Sequence, residues 1–201
     1  HFNWKKMIIV ALRNIISIIG IIVMLPLLLI VSFFIVLEDG FPILFKQERL
    51  GLNKKIFTIF KLRTLLKNSP QVGTHDLDKS FKLKTGAIIR AMKLDEFPQL
   101  LNVIKGELNL VGPRPGLSSQ IELKKAREIL GIFEVAPGIT GLSQILGYDM
   151  SNPEKLAEID KIYILNNTVR LNLIILLGTF IKTPRNYLAS KFKIPNISKS
   201  R

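Results

Sequence analysis

The chain reads as a mixed α/β (α+β) protein with a long apolar helix at its N-terminal end, and three observations predict this. Residues 14–37 form an uncharged run dominated by Ile, Val, Leu and Phe. Residues 42–49 and 56–64 alternate with the two-residue period of strands, around the turn Gly51-Leu52-Asn53-Lys54-Lys55. The rest is a series of helix-period segments separated by Gly and Pro.

The apolar run, as a straight helix, is about 36 Å long, against roughly 30 Å of hydrocarbon in a bilayer. Pro26 lies at its middle, where it removes a helix hydrogen bond and crowds the preceding turn. Lys5, Lys6 and Arg13 precede the run and Lys46, Arg49, Lys54 and Lys55 follow it, so charge marks no inside end. Two paths stay open: a kinked spanning helix, or one that bends at Pro26 and returns. A signal peptide would have an apolar region of about 7 to 15 residues and a small-residue cleavage site, and neither is present. Nothing functional is read into His1.

In the second strand, alternation places Lys61 and Arg63 on one face. Residues 66–84 are polar, with Pro70 and Gly73, and read as a loop. Thr85 opens a short helix through Met92, and Asp95 caps the next, which carries Leu100, Leu101 and Ile104 before Gly106. Further helices are expected at 119–130, ended by Gly131, and at 153–165, opened by Asn152-Pro153. The apolar stretch 169–181 is too short to span a membrane. Followed by Lys182, Arg185, Lys191 and Lys193, it reads as an interfacial helix with a basic tail, or as a buried core helix. The expected organisation is a membrane helix at 1–38 and one domain at 39–201.

Composition narrows the chemistry. With no cysteine and only His1 and His75, disulfides, thiolate nucleophiles, Ser-His-Asp triads and His-rich zinc sites are set aside. Carboxylates, Lys, Arg and hydroxyls remain. The net charge is +14, and residues 38–201 carry +11 of it, which points to an anionic partner. Aromatic residues do not interleave with a basic stripe, so nucleic acid is not that partner. Anionic lipid or a polyphosphate substrate fits better beside an apolar anchor.

Two motifs carry candidate chemistry. Asp95-Glu96 lies at the start of a helix, where Asp95 is either a cap or an ionised carboxylate able to attack phosphorus. Glu96 beside it could help hold Mg²⁺, which prefers hard oxygen ligands. In Gly112-Pro113-Arg114-Pro115-Gly116 both prolines fix their own φ and Pro115 extends the backbone of Arg114. A guanidinium so restricted is either a preorganised fork for phosphate oxygens or an exposed group on a rigid turn. Pro137-Gly138-Ile139-Thr140-Gly141 is a second turn able to show backbone N–H groups to an anion. Asp160 and Tyr163, one helical turn apart, either reach a common site or support packing, and packing is the favoured reading.

Arg49-Leu50-Gly51-Leu52-Asn53, Lys61-Leu62-Arg63-Thr64, Leu94-Asp95-Glu96-Phe97-Pro98-Gln99-Leu100, Gly112-Pro113-Arg114-Pro115 and Pro137-Gly138-Ile139-Thr140-Gly141, in this order, resemble the monotopic phosphoglycosyl transferases, the bacterial sugar transferase family. The resemblance covers residues 5 to 181. It implies a monotopic protein at the cytoplasmic face of the bacterial inner membrane, anchored by a re-entrant helix broken at Pro26, next to membrane phospholipid. It implies transfer of a sugar-1-phosphate from a UDP-sugar to polyprenyl (undecaprenyl) phosphate through a covalent aspartyl-phosphosugar, with release of UMP and with Mg²⁺. Carried over by position, Asp95 is the nucleophile and Glu96 its partner at the metal. Arg114, Lys61 and Arg63 are phosphate clamps, with Pro113, Pro115, Gly138 and Thr140 shaping the substrate site. A homodimer is left open.

The chain departs from the family pattern at four places. Ala136 stands where Arg is usual, Leu146-Gly147-Tyr148-Asp149 where Asn-Gly-Arg is frequent, Asn172 where Asp is common, and Leu25 where Ser is frequent. The missing cations motivate a rival reading, a membrane protein that binds polyprenyl phosphate or anionic lipid without turnover. Sugar preference is expected to depend on residues 66–84 and 142–150.

Overall fold

The computed structural model describes residues 4–69 and 81–198. It is a mixed helix and strand structure with one long apolar N-terminal helix, compatible with membrane association. The elements in chain order are α1 (Trp4–Asp39), β1 (Leu44–Leu50), β2 (Ile56–Leu62), α2 (Lys84–Ala91), α3 (Leu100–Ile104), β3 (Asn109–Val111), α4 (Ile121–Ile129), β4 (Gly138–Thr140), α5 (Leu142–Ile145), α6 (Pro153–Leu165), α7 (Val169–Phe180) and α8 (Lys182–Phe192). β1 and β2 form one two-stranded sheet, and β3 and β4 another. The chain divides into two compact units, residues 1–47 with 59–104, and residues 48–58 with 105–201.

The first unit is organised by α1. Pro26 lies inside this helix, so the element extends on both sides of the proline that the sequence marks as a break. A stripe at helical spacing, Met24, Leu27, Leu28, Val31 and Ile35, packs with Leu62, Leu83, Ile89 and Leu94. Other apolar residues of α1, among them Ile19, Ile22, Val23, Leu29, Phe33 and Leu37, are exposed, an apolar area larger than water-facing surfaces usually carry.

α1 ends on Glu38 and Asp39, with no base in its last turn, an arrangement its own dipole disfavours. Both carboxylates are answered from elsewhere in the unit. Arg63 donates to the Asp39 carboxylate and to the carbonyls of Asp39 (3.3 Å) and Gly40 (2.5 Å), so it caps the helix end. Glu38 accepts from the Lys84 and Thr85 amides (2.5 and 3.1 Å) and the Thr85 hydroxyl (2.6 Å), at the start of α2. The cap of α2 is therefore Glu38 and not the Thr85 expected from local sequence. Gly86 lets α2 close on the preceding chain: a Cβ there would lie 2.4 Å from the Thr64 carbonyl oxygen.

In the second unit β3 and β4 pair in parallel, Asn109 with Gly138 and Val111 with Thr140. Both strands have three residues, too short for an alternation signal. A Cβ on Gly138 would lie 2.1 Å from the Gly112 nitrogen, so the glycine is required by backbone approach. Val111, Leu142, Leu146, Ile159, Tyr163, Leu171, Ile175 and Leu188 form the core. Asn152 caps α6, accepting from the Lys155 amide at 3.1 Å, as its sequence signals. α7 packs one face into the core, with Leu171, Ile175 and Gly178 buried, while Val169, Leu173, Leu177 and Phe180 are exposed. The stretch expected as a tail forms α8, which buries Leu188.

Candidate active site

Asp95 and Glu96 lie in a 3-10 turn, Leu94–Gln99, between α2 and α3. Lys93, with a left-handed backbone (φ 56°), reverses the chain at the end of α2, and Leu94, Pro98 and Gln99 are buried, fixing the turn from within. Asp95 is thus inside the turn and is not a helix cap: the residue in the cap position is Lys93, which makes no side-chain capping bond. That correction removes the bland explanation of Asp95.

Three charged groups surround the Asp95 carboxylate. Burial pushes its pKa up, Lys61 pulls it down, Glu96 pushes it up and Arg90 pulls it down, and the net direction is up. Lys61 Nζ lies 3.3 Å from Glu96 Oε1, in a pair whose side chains are 17% and 21% exposed. Arg90, on the last turn of α2, donates through Nε to the Thr64 hydroxyl at 2.7 Å. Sequence reasoning missed Arg90. Its one available signal is its place in the final turn of a helix that runs straight into the acidic pair.

Lys61 and Arg63 do not act as two cations presented together. All five N–H groups of Arg63 have partners: Pro42 O (2.6 Å), Leu65 O (3.3 Å), and the Asp39 and Gly40 groups already described. With 5% exposure it has no donor left for a phosphate, so Arg63 is a helix clamp in this structure.

In the second unit the Pro113–Gly116 loop is held by arginines. Arg127 Nη1 donates to the Arg114 carbonyl at 2.7 Å, and Arg49 Nη1 to the Pro115 carbonyl at 3.2 Å. The Pro113 carbonyl accepts from the Gly138 amide at 2.9 Å. The Arg114 guanidinium is half-buried and, among the described residues, makes no hydrogen bond. Burial and the charge of Arg114 push the Arg49 pKa down to about 10. Arg49 is a second residue to which sequence reasoning gave no role.

The loop has a rigid backing. Arg127 Nη2 lies 2.6 Å from Asp160 Oδ2, and Asp160 Oδ1 accepts from the Ser143 hydroxyl at 2.8 Å. Tyr163 donates to the Val111 carbonyl (3.1 Å) or to Asn172 Oδ1 (2.9 Å). Asp160 and Tyr163 are packing residues, as expected. The Thr140 and Thr179 hydroxyls bond each other at 2.9 Å in the core, and the Gly138 amide is taken by the Pro113 carbonyl, so both groups are engaged within the fold. Asn172, one of the departures from the family pattern, partners Tyr163. Residues 70–80, the larger part of the expected specificity loop, and His75 lie outside the described residues.

For Mg²⁺, Asp95 and the adjacent Glu96, whose charge raises the cost of ionising Asp95, form a hard-oxygen donor pair. Among the described residues no three His, Cys, Asp or Glu side chains cluster. Two carboxylates suffice for an ion that usually keeps waters and takes substrate phosphate oxygens as further ligands, so Asp95 and Glu96 fit it.

The acidic turn, with Lys61 and Arg90 near it, lies in the unit that holds the long apolar helix, whose length and composition are compatible with membrane association. The chain belongs to the bacterial sugar transferase family, whose model matches residues 4–186. It is 44% identical over 149 residues to the uncharacterized sugar transferase EpsL of Bacillus subtilis (strain 168), covering 73% of this chain and 72% of that protein. It is 40% identical over 126 residues to the UDP-glucose:undecaprenyl-phosphate glucose-1-phosphate transferase of Caulobacter vibrioides, covering 61% of this chain and 47% of the relative. It is 32% identical over 183 residues to the undecaprenyl-phosphate galactose phosphotransferase of Salmonella typhimurium (strain LT2), covering 83% and 38%. The chain thus spans less than half the length of the latter two.

Proposed function

We propose that this protein transfers a sugar-1-phosphate from a UDP-sugar to undecaprenyl phosphate, through a phosphosugar carried on Asp95. The observation that carries the reading is the Asp95 carboxylate, set in a fixed turn with Lys61 and Arg90 around it. Burial raises the energy of its ionised form, which favours attack on an electrophile, while the two cations keep the anion accessible and offset the approach of a second anion.

In the first step an Asp95 oxygen forms a bond to the sugar-bearing phosphorus, and the bond from that phosphorus to the bridging oxygen breaks, so that UMP leaves. In the second, a phosphate oxygen of undecaprenyl phosphate attacks the same phosphorus and the Asp95 oxygen departs, regenerating the carboxylate. Lys61 and Arg90 bind the phosphoryl oxygens, and Glu96 holds Lys61 in place. Mg²⁺, held by Asp95 and Glu96, would supply charge neutralisation between the anionic nucleophile and the anionic donor. Arg114, on its proline-fixed loop in the second unit, carries a guanidinium fork suited to a phosphate group.

The exposed apolar surface of α1 supports placement at a membrane, which the lipid acceptor requires. A re-entrant path with its turn near Pro26, at the cytoplasmic face of the inner membrane, is the arrangement that keeps both basic flanks on one side. The test is UMP release by the protein in nanodiscs, with Mg²⁺ and undecaprenyl phosphate, across a panel of UDP-sugars. Release that disappears in Asp95→Asn supports the reading. No release with any donor from folded protein moves weight to lipid binding without turnover.

A further inference from the structure

The last turn of the apolar helix and the acidic turn are joined through α2, and the joint begins at Glu38, a side chain the reaction does not use. Glu38 is exposed and makes three hydrogen bonds to the first residues of α2, two of them to backbone amides that have no partner within the helix. α2 is then fixed along its length, by the close approach of Gly86 to the Thr64 carbonyl and by Arg90 on the Thr64 hydroxyl. From its end the chain passes to the acidic turn through consecutive backbone bonds, Met92 N to Ile88 O (3.0 Å), Lys93 N to Arg90 O (3.0 Å) and Glu96 N to Lys93 O (3.4 Å).

We propose that Glu38 is a positioning residue, which fixes α2 from the end of the membrane helix and through α2 sets the place of Arg90 and of the Asp95-Glu96 turn. An eight-residue helix is marginal alone, and its orphan amides fray first when a cap is lost. Fraying from Lys84 loosens the hold on Thr64 and shifts Arg90, whose charge acts on Asp95. The surface position of Glu38 makes the effect specific, since removing an exposed carboxylate leaves no cavity. This inference rests on Asp95 being the nucleophile, as proposed above.

The experiment compares native full-length protein, Glu38→Ala and Glu38→Gln in nanodiscs, by UMP release at varied UDP-sugar and by amide hydrogen exchange over residues 84–99. In Glu38→Ala, kcat falls about tenfold with KM for the donor changed by less than about twofold, and exchange rises by about fivefold both at 84–87 and at 94–96. Glu38→Gln keeps one of the two acceptor oxygens and recovers part of both losses. Faster exchange confined to 84–87 with kcat unchanged, or a Gln variant no better than Ala, overturns the proposal. If native protein releases no UMP from any donor, the transferase reading fails by itself, and exchange at 94–96 still decides whether Glu38 reaches the acidic turn.

Discussion

Asp95 and Asp160 are alike in several respects. Each is a carboxylate whose pKa burial pushes up, and each has a cation beside it that pulls the other way. They differ in saturation and access. Asp160 is 1% exposed, and its two oxygens are taken by Arg127 and Ser143, groups that are themselves buried. Asp95 sits in a turn at partial exposure, next to a second carboxylate, with Lys61 bound to Glu96. The proposal of chemistry at Asp95 therefore rests on its partial exposure and its charged neighbours, not on the direction of its pKa alone. A carboxylate finished by fixed partners holds a fold together.

The largest expected effect tests the first half of this comparison. Asp95→Asn should lower UMP release by more than about 10³-fold, since the amide cannot form the acyl phosphate. Its denaturation midpoint should stay close to native, because burial disfavours the charge it removes. A large loss of stability with activity merely reduced would make Asp95 a structural residue.

Asp160→Ala tests the second half. It leaves Arg127 buried and uncompensated, which costs about 3–5 kcal/mol. Denaturant unfolding in detergent measures it, and native stability with UMP release abolished would assign Asp160 to the reaction instead.

The arginines sharpen the contrast on the cation side. Arg114→Lys keeps the charge and loses the bidentate fork, so kcat/KM for the UDP-sugar should fall by about 10- to 100-fold. Stability should change by less than about 0.5 kcal/mol, since the backbone carbonyl of Arg114, not its side chain, is bonded to Arg127. Arg63→Lys should do the reverse, losing several bonds at the end of α1. If Arg63→Lys instead leaves stability native and abolishes activity, Arg63 returns to the role of phosphate clamp.

These residues also show what the sequence made legible. The long helices and the hairpin follow from period and punctuation, and Asn152-Pro153 places the start of α6 correctly. The Asp95-Glu96 pair and the Arg114 loop stand out because adjacent carboxylates and a proline-flanked arginine are locally unusual. What stayed hidden is set by contacts far apart in the chain. Arg63 looks like a solvated strand cation until Asp39, 24 positions earlier, is brought to it. Thr85 looks like its own helix cap until Glu38, 47 positions earlier, is in place. β3 and β4 are three residues each, and their pairing depends on Gly138 allowing close backbone approach, which no periodicity reports. Arg90 carries only the weak mark of its place in the last turn of α2, and the contact of Arg49 with the Pro115 carbonyl spans 66 positions.

The smallest effect concerns Tyr163, which belongs with Asp160 among the finished groups. Tyr163→Phe removes a hydroxyl shared between the Val111 carbonyl and Asn172, and should cost about 1 kcal/mol. Burial pushes the phenol up from 10.0 to about 12, so the folded state holds this proton more tightly than the unfolded chain does. The stability that this provides is complete below pH 10 and is lost as pH rises toward 12. Unfolding of the native protein should therefore ease across that window more steeply than that of Tyr163→Phe. Parallel pH dependences of the two proteins would mean that the phenol ionises freely in the fold, and the packing around β3 would then be less closed than that around Asp160.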